Sequence, residues 1–429
     1  MADATHKLLF ATRTSPFAGE SGSGTYVADL LDYLSTQGFR IRVVWTNPPD
    51  LLPTRGWYTP PANGTANFSL EIADMIKVGS RYFRPSVVWL PIKAYAFHLI
   101  KTSLRTVGLW RRAEPVRTGN SAPSYAVWGA DASPAEMLTV RTAIARWRPD
   151  VVIANYAWMA PAIRPVEALT PKFAVLTHDV RHRQLHLQEG RLSEKLGEHM
   201  NIHDERRMLA SADALVAIQQ AEAAVFAKML PEKKVLTAPM SVQLHATPPA
   251  GEPVLLFVGS DHGANRDGLQ WFLREVWPTV HREVSAARLL IAGGIGRVIP
   301  DDLPAGVTKL GRVPDLATAY AQASVVIAPI FQGSGIKIKL LEAIGFGRAC
   351  VTTSVGLEGL EALRDELHVA DTAVPFAHAT TELLRNPAEA ARRGAALQEK
   401  ARVHLSREAC YQPLARELHT LAAKNSSAP

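Results

Sequence analysis

Short apolar runs alternate along this chain with longer stretches in which apolar residues return every three or four positions. In the first half the runs "KLLFAT", "RIRVVW", "DVVIANY", "FAVLTHD" and "DALVAI" read as buried strands. Between the first two, "GTYVADLLDYLSTQG" lines up Tyr26, Val27, Leu30, Leu31 and Leu34 on one helical face, and Gly38 stops the helix. A second series follows: "VLLFVGS", "RLLIAGG", "VTKLGRV", "SVVIAPI" and "RACVTTS", again with helical patterns between. Strands alternating with helices predict parallel sheets covered on both faces. The pattern therefore predicts an α/β protein of two doubly wound, Rossmann-like domains facing across a cleft. Ligands of such folds sit beyond the carboxyl ends of the strands, so the residues there are the ones to inspect.

From Thr237 to Pro253 the chain turns proline-rich, "TAPMSVQLHATPPAGEP", and reads as a domain linker. This gives a first domain over 1–240, a linker over 241–253 and a second domain over 254–405. A final helix over 406–429 is expected to pack back on the first domain. The stretch from about 48 to 134 is less regular, carries Trp57, Trp89, Trp110 and Trp128 with several prolines, and reads as an insertion in the first domain.

A length of 429 residues suits two domains of roughly 150–250 residues. Two cysteines, Cys350 and Cys410, argue against a disulfide scaffold and fit a reducing cytosol. The N-terminal sequence lacks the apolar core of a signal peptide, and no run is long and uncharged enough to span a membrane. A cytoplasmic protein is expected.

The formal net charge is +7, and its distribution matters more than its size. Eight Lys/Arg and one acid, Glu114, lie between Arg81 and Arg117, so the rest of the chain is close to neutral. This stretch interleaves its cations with Trp, Tyr and Phe. Two readings of 81–117 stand side by side: contact with the inner face of a membrane, which would suit a lipid-linked acceptor, or ordinary packing of an inserted helix pair. No fold signal supports nucleic acid.

The densest chemistry is in "FQGSGIKIKLLEAIGFG", Phe331 to Gly347. A glycine loop running into a helix offers free backbone N–H groups and a positive dipole end to a phosphate. Lys337 and Lys339 add charge, and the Glu342 carboxylate could accept two ribose hydroxyl hydrogens. A surface helix with a Lys339–Glu342 pair at i, i+3 explains the same residues equally well. "SGSGTY" brings Gly22, Ser23 and Gly24 between a strand and a helix. It is a weak dinucleotide signal, because Val27 stands where a third glycine belongs and no acid ends "RIRVVWTN". "AGGIG" at 292–296 reads as a strand-end turn. His182/His186 and His199/His203 have i, i+4 spacing but lack the glutamate of a zinc-protease motif. There is no Asp-x-Asp pair to hold a cation on a diphosphate, so no metal or other cofactor is expected.

The run "GSGIKIKLLEAIGFGRACVTTSVGLEGL", together with "VLLFVGSDHGANRDGLQWFL", "ARLLIAGG" and "LGRVPDLATAYAQASVVIAPI" upstream, resembles the family-4 retaining glycosyltransferases of the GT-B fold. The resemblance spans nearly all of the second domain and is patchier in the first. It implies a nucleotide-sugar donor, a glycan or lipid-linked acceptor, and a part in polysaccharide or cell-envelope assembly. Glu342 matches the family glutamate that holds the donor ribose. The family's other motif glutamate falls at Ser334. Its phosphate-binding cations fall at Ser260 and Arg266, and the Gly333, Ser334, Gly335 and Ile336 backbone is expected near the diphosphate. The base is expected near Arg312. Gly22, Ser23 and Gly24 would line the acceptor and phosphate loop, and His178, after "FAVLT", would touch the donor sugar near the reacting carbon. Gly24, His178 and Glu342 are thus the catalytic candidates. Two other readings of the same fold are a nucleotide-sugar epimerase or phosphorylase and a non-catalytic binding subunit.

Overall fold

The computed structural model describes residues 6–18, 22–46, 57–61, 67–85, 131–163, 171–183, 201–248, 251–261, 263–313, 315–333 and 337–426. Among them run the strands β1 (His6–Thr12), β2 (Phe39–Trp45), β3 (Trp57–Tyr58), β4 (Ser69–Ile72), β5 (Ile76–Val78), β6 (Arg81–Phe83), β7 (Val151–Asn155) and β8 (Lys172–Leu176). They continue as β9 (Ala214–Ala217), β10 (Lys234–Thr237), β11 (Val254–Val258), β12 (Arg288–Ala292), β13 (Val307–Gly311), β14 (Val325–Ala328), β15 (Ala349–Thr352) and β16 (His368–Val369). All ten strands read from the sequence form.

The first sheet has the order β10-β9-β8-β7-β1-β2-β4. Its centre is parallel, with Leu8 opposite Ile41 in β2 and Val151 in β7. The second sheet, β13-β12-β11-β14-β15-β16, is parallel throughout. Numbered within that sheet, its order is 3-2-1-4-5-6, the doubly wound arrangement. Every residue of β7, β9, β14 and β15 is buried. Strands covered on both faces need such unbroken apolar runs. In the second sheet Phe257, Ile291, Ile327 and Val351 close the core against Leu269, Phe272, Trp277 and Phe376 from the helices.

The irregular region departs from its reading as a pure insertion. β4 pairs in parallel with β2 and is the edge strand of the first sheet, so part of 48–134 belongs to the Rossmann core. β3, β5 and β6 form a small antiparallel sheet of their own. Directly opposed residues of antiparallel strands share a face. One face is Tyr58, Tyr82 and Lys77, with buried Tyr82 donating to the Leu70 carbonyl at 2.7 Å. The other carries Trp57, Phe83 and Ile76 in one row and Arg81 with Val78 in the next. Trp57, Ile76 and Val78 are each more than half exposed. Of the basic stretch, only residues 81–85 lie within the described residues.

By contacts the chain divides into two compact units. One comprises Met1–Leu176, His203–Leu215 and Glu417–Pro429, the other Thr177–Ile202 and Val216–Arg416. In the first, His419 of the helix Arg407–Ser426 stacks on Phe39 at 4.3 Å and lies 3.0 Å from the Gln37 carbonyl. In the second, residues 238–248 have no helix or strand, yet they are pinned. The N–H of Val242 donates to the Leu405 carbonyl, that of Ser241 to the Tyr411 hydroxyl, and that of His245 to the Gly345 carbonyl. Gly345 has no room for a side chain, because a Cβ would sit 2.2 Å from the Gln243 oxygen.

Close approach also sets the helix Gly263–Trp271 against the end of β14. A Cβ on Gly268 would lie 1.8 Å from the Pro329 carbonyl oxygen, a backbone atom that cannot rotate away. Gly268→Ala should therefore destabilise the protein by about 2 kcal/mol or more, read as a lowered urea midpoint with an unchanged slope.

Candidate functional site

Doubly wound sheets bind ligands where successive helices leave on opposite faces, which in the second sheet is between β11 and β14. Beyond β11 the chain turns through Gly259, Ser260 and Asp261 into the helix Gly263–Trp271. Beyond β14 it runs through Phe331 and Gly333 to Lys337 and the helix Ile338–Gly345. Ser334, Gly335 and Ile336 lie outside the described residues. Gly333 has a φ of 121°, which a side chain would strain.

One lysine ties the two sides of this switch point together. The Lys339 ammonium is hydrogen-bonded to the Asn265 carbonyl oxygen and sits 5.1 Å from the centre of the Phe257 ring in β11. The Asn265 amide in turn donates to the Ser260 carbonyl at 3.0 Å. The surface pair at i, i+3 does not form: Lys339 turns to Asn265, and Glu342 turns to Tyr320, whose hydroxyl lies 3.0 Å from its Oε2. Oε1 of Glu342 has no hydrogen-bond partner among the described residues.

Burial governs the charges here. It pushes the Lys339 ammonium down to about 8, helped by Lys337 and opposed by Glu342. It lowers Lys337 as well, against the pull of Glu358 and Glu222. Lys337 is buried, and its ammonium donates to the Gly333 carbonyl at 3.0 Å. It is thus held on its own loop. Burial raises Glu342, while the Tyr320 hydroxyl and Lys339 work to keep it ionised. The helix Ile338–Gly345 has no side-chain cap at its N-terminus.

Arg266 and Arg312 differ from each other. Arg266 is paired with Asp261 at 2.6 Å, both side chains about one-third exposed, and its Nε has no acceptor among the described residues. A phosphate there would share the guanidinium with a carboxylate already present. Arg312 follows β13 and is exposed, next to Gly311 with a φ of 64°. "AGGIG" is a strand-end turn, in which Gly293, φ 101°, leaves no space for a Cβ beside the Gly259 carbonyl.

In the first sheet, Gly22, Ser23 and Gly24 are the first residues of the helix Gly22–Thr36, where a linking loop was expected. His178 follows β8 with a φ of 61°, a conformation rare for a side-chain-bearing residue and concentrated at functional sites. Its backbone is fixed by the Thr177 N–H donating to the Val216 carbonyl at 2.9 Å. Burial pushes its imidazole down to about 3, so it is neutral at physiological pH, with one nitrogen to donate and one to accept. His186 and His199 lie outside the described residues. Among those described, no three His, Cys, Asp or Glu side chains approach closely enough to share a metal.

Several site residues carry no motif. Tyr320 and Asn265 are found only through their bonds to Glu342 and Lys339. A third group lies at the switch point of the first sheet, between β1 and β7. There the buried Arg13 guanidinium grips Glu136 with two bonds of 2.9 and 2.8 Å, and the Asn155 amide donates to the hydroxyls of Thr12 and Thr14. Glu136 also closes the capping box of the helix Pro134–Trp147 with Ser133, and the spacing Ser-x-x-Glu is a signal legible in the sequence.

Residues 252–386 match the family model described as "Glycosyl transferases group 1". A curated relative, an uncharacterised 44.6 kDa protein of the cps region of Klebsiella pneumoniae, is 32% identical over 135 residues, covering 29% of this chain and 35% of that protein. The match thus spans about a third of the relative. Three solved structures share the fold over nearly the whole chain. Sucrose-phosphate synthase from Thermosynechococcus elongatus gives a TM-score of 0.65 at 15% identity, covering 98% of this chain and all of that one. An α,α-trehalose-phosphate synthase from Burkholderia vietnamiensis gives 0.59 at 12%, covering 99% and 100%. Anabaena HepE, solved in complex with UDP, gives 0.59 at 13%, covering 97% and 100%. The two parallel-sheet, Rossmann-like domains are those of the GT-B fold.

His178 yields a prediction independent of any ligand. Between pH 6.5 and about 3 the unfolded chain binds a proton at this ring that the folded chain refuses, so stability falls as pH drops through that window. Urea melts at pH 7 and pH 4.5 should show His178→Gln losing less stability than wild type, by up to about 1.4 kcal/mol per pH unit.

Proposed function

We propose that this protein is a retaining glycosyltransferase that moves a hexose from a nucleotide-sugar donor to an acceptor hydroxyl in polysaccharide or cell-envelope glycan assembly. The observation that carries the proposal is the Lys339–Asn265 tie across the β11/β14 switch point, with Glu342 beside it keeping one carboxylate oxygen unbonded among the described residues. Support comes from the group 1 match over 252–386 and from the fold shared with sugar-phosphate synthases. The relative from a cps region points towards glycan synthesis.

In this reading the Glu342 carboxylate accepts the donor ribose hydroxyls. The diphosphate is met by Arg266, Lys337, Lys339 and the backbone N–H groups of the 333–336 loop, with no metal required. These groups face the oxygen on which negative charge grows as the glycosidic bond breaks, so they stabilise the transition state more than the bound donor. The base lies near Arg312. Gly22, Ser23 and Gly24 serve the acceptor side, and neutral His178 hydrogen-bonds the sugar without competing for the leaving group's proton. The leaving phosphate oxygen takes the acceptor proton, giving substitution on the same face of the sugar.

A lipid-linked acceptor at the inner face of the membrane extends the proposal. It is supported by the outward face of the β3-β6-β5 sheet, with Trp57, Ile76 and Val78 exposed around Arg81, and by the basic stretch that continues to Arg117. No helix among the described residues is long and apolar enough to cross a bilayer.

UDP-, GDP-, dTDP- and ADP-sugars should be screened by thermal shift against wild type and Glu342→Ala. One nucleotide series at 100 times its Kd should stabilise wild type by about 2.7 kcal/mol and leave the variant unmoved. Binding without transfer or donor hydrolysis would instead mark a non-catalytic binding subunit. Donor affinity should fall on acidification at a pH above the ordinary glutamate range, because the carboxylate that must accept hydroxyls is raised by burial. Co-sedimentation with vesicles containing anionic lipid should weaken several-fold for Trp57→Ser with Ile76→Ser, and an unchanged bound fraction would remove this face from the membrane contact.

A further inference from the structure

Glu342 does not stand alone on its helix. The Tyr320 hydroxyl, from the helix Leu316–Gln322, lies 3.0 Å from its Oε2 and 3.3 Å from the Lys339 carbonyl. With a single hydrogen, that hydroxyl donates to the nearer, charged acceptor. Tyr320 itself is fully buried and cannot swing away. Its ring stacks on Phe346 at 4.7 Å and 10°, and Phe346 stacks in turn on His245 at 4.0 Å and 5°. His245 belongs to the pinned segment 238–248, where its own N–H is bonded to the Gly345 carbonyl. Three nearly parallel rings therefore run from that segment to the carboxylate. Such a column has little freedom, since each ring is confined by its neighbours and the last ends in a directional bond.

We propose that Tyr320 is a positioning residue for donor recognition: it occupies one oxygen of Glu342 and aims the other at the ribose hydroxyls, with Phe346 and His245 fixing its ring. This rests on the donor reading of Glu342 given above and adds what orients that carboxylate. Tyr320 touches no substrate in this scheme, and its effect passes through Glu342 alone. A residue needed only for packing would weaken every ligand equally; one that aims a ribose acceptor weakens only ligands with ribose hydroxyls.

The test uses the full chain with UDP, GDP and ADP, each beside its 2′,3′-dideoxy counterpart, and Kd measured by calorimetry. Tyr320→Phe keeps the ring column and removes the hydroxyl. It should weaken the preferred ribose-bearing nucleotide about tenfold, leave its dideoxy counterpart unchanged, and cost nothing further when added to Glu342→Gln. Unchanged affinity, or an equal loss for both nucleotides, overturns the proposal. If wild type and Glu342→Gln bind the ribose-bearing nucleotide equally, or wild type binds none, the donor reading of Glu342 itself fails and the role of Tyr320 falls with it. Should Tyr320→Phe not fold, His245→Leu, which removes the far ring, carries the same comparison. A loss confined to the ribose-bearing nucleotide supports the column, and an equal loss or none overturns it.

Discussion

The parallel pairing of β11 with β14 is the constraint on which the second unit's chemistry depends. These strands are neighbours in space but not in sequence, with Leu255 opposite Val325. Their following segments depart separately and leave their carboxyl ends uncovered. The surrounding close contacts serve that geometry. Gly268 lets one helix settle on Pro329, and Gly293 lets the turn after β12 reach Gly259. Side chains at either glycine would push apart the walls of that opening.

Around this opening, charge is arranged by assigning each group its own partner. A lysine and a glutamate, both half-buried and three residues apart, could have neutralised one another on their helix. Instead Lys339 is satisfied by an amide oxygen and a ring, and Glu342 by a phenol. Neutral donors and acceptors hold charged groups without cancelling them, so both remain available to a ligand. The two shifts have the same origin, burial, and both favour the uncharged form. A bound diphosphate would favour the charged lysine.

The fold was largely legible because central parallel strands must be apolar throughout, and runs such as "SVVIAPI" and "RACVTTS" have no other economical reading. What escaped notice were elements whose position is decided by pairing with distant residues. β4 is only four residues long, and nothing in "SLEI" says that it will extend the sheet beside β2. At the site, Glu342 and Lys337 could be picked out because they belong to a recognisable glycine loop and the helix that follows it. Tyr320 could not: it occupies an ordinary amphipathic helix, and only the folded chain brings its hydroxyl across twenty-two residues of sequence to the carboxylate. The Arg13–Glu136 pair spans 123 residues in the same way, although its capping box was open to inspection.

The left-handed backbone at His178 sets a conflict between evolvability and activity. At a φ of 61°, glycine and asparagine are more comfortable than histidine, so random substitution there has a downhill direction in folding energy. A library sorted for stability alone would leave histidine behind, and one sorted for transfer would return to it if the imidazole contributes to the reaction. Stabilising variants chosen without an activity screen would then erode function first at this position.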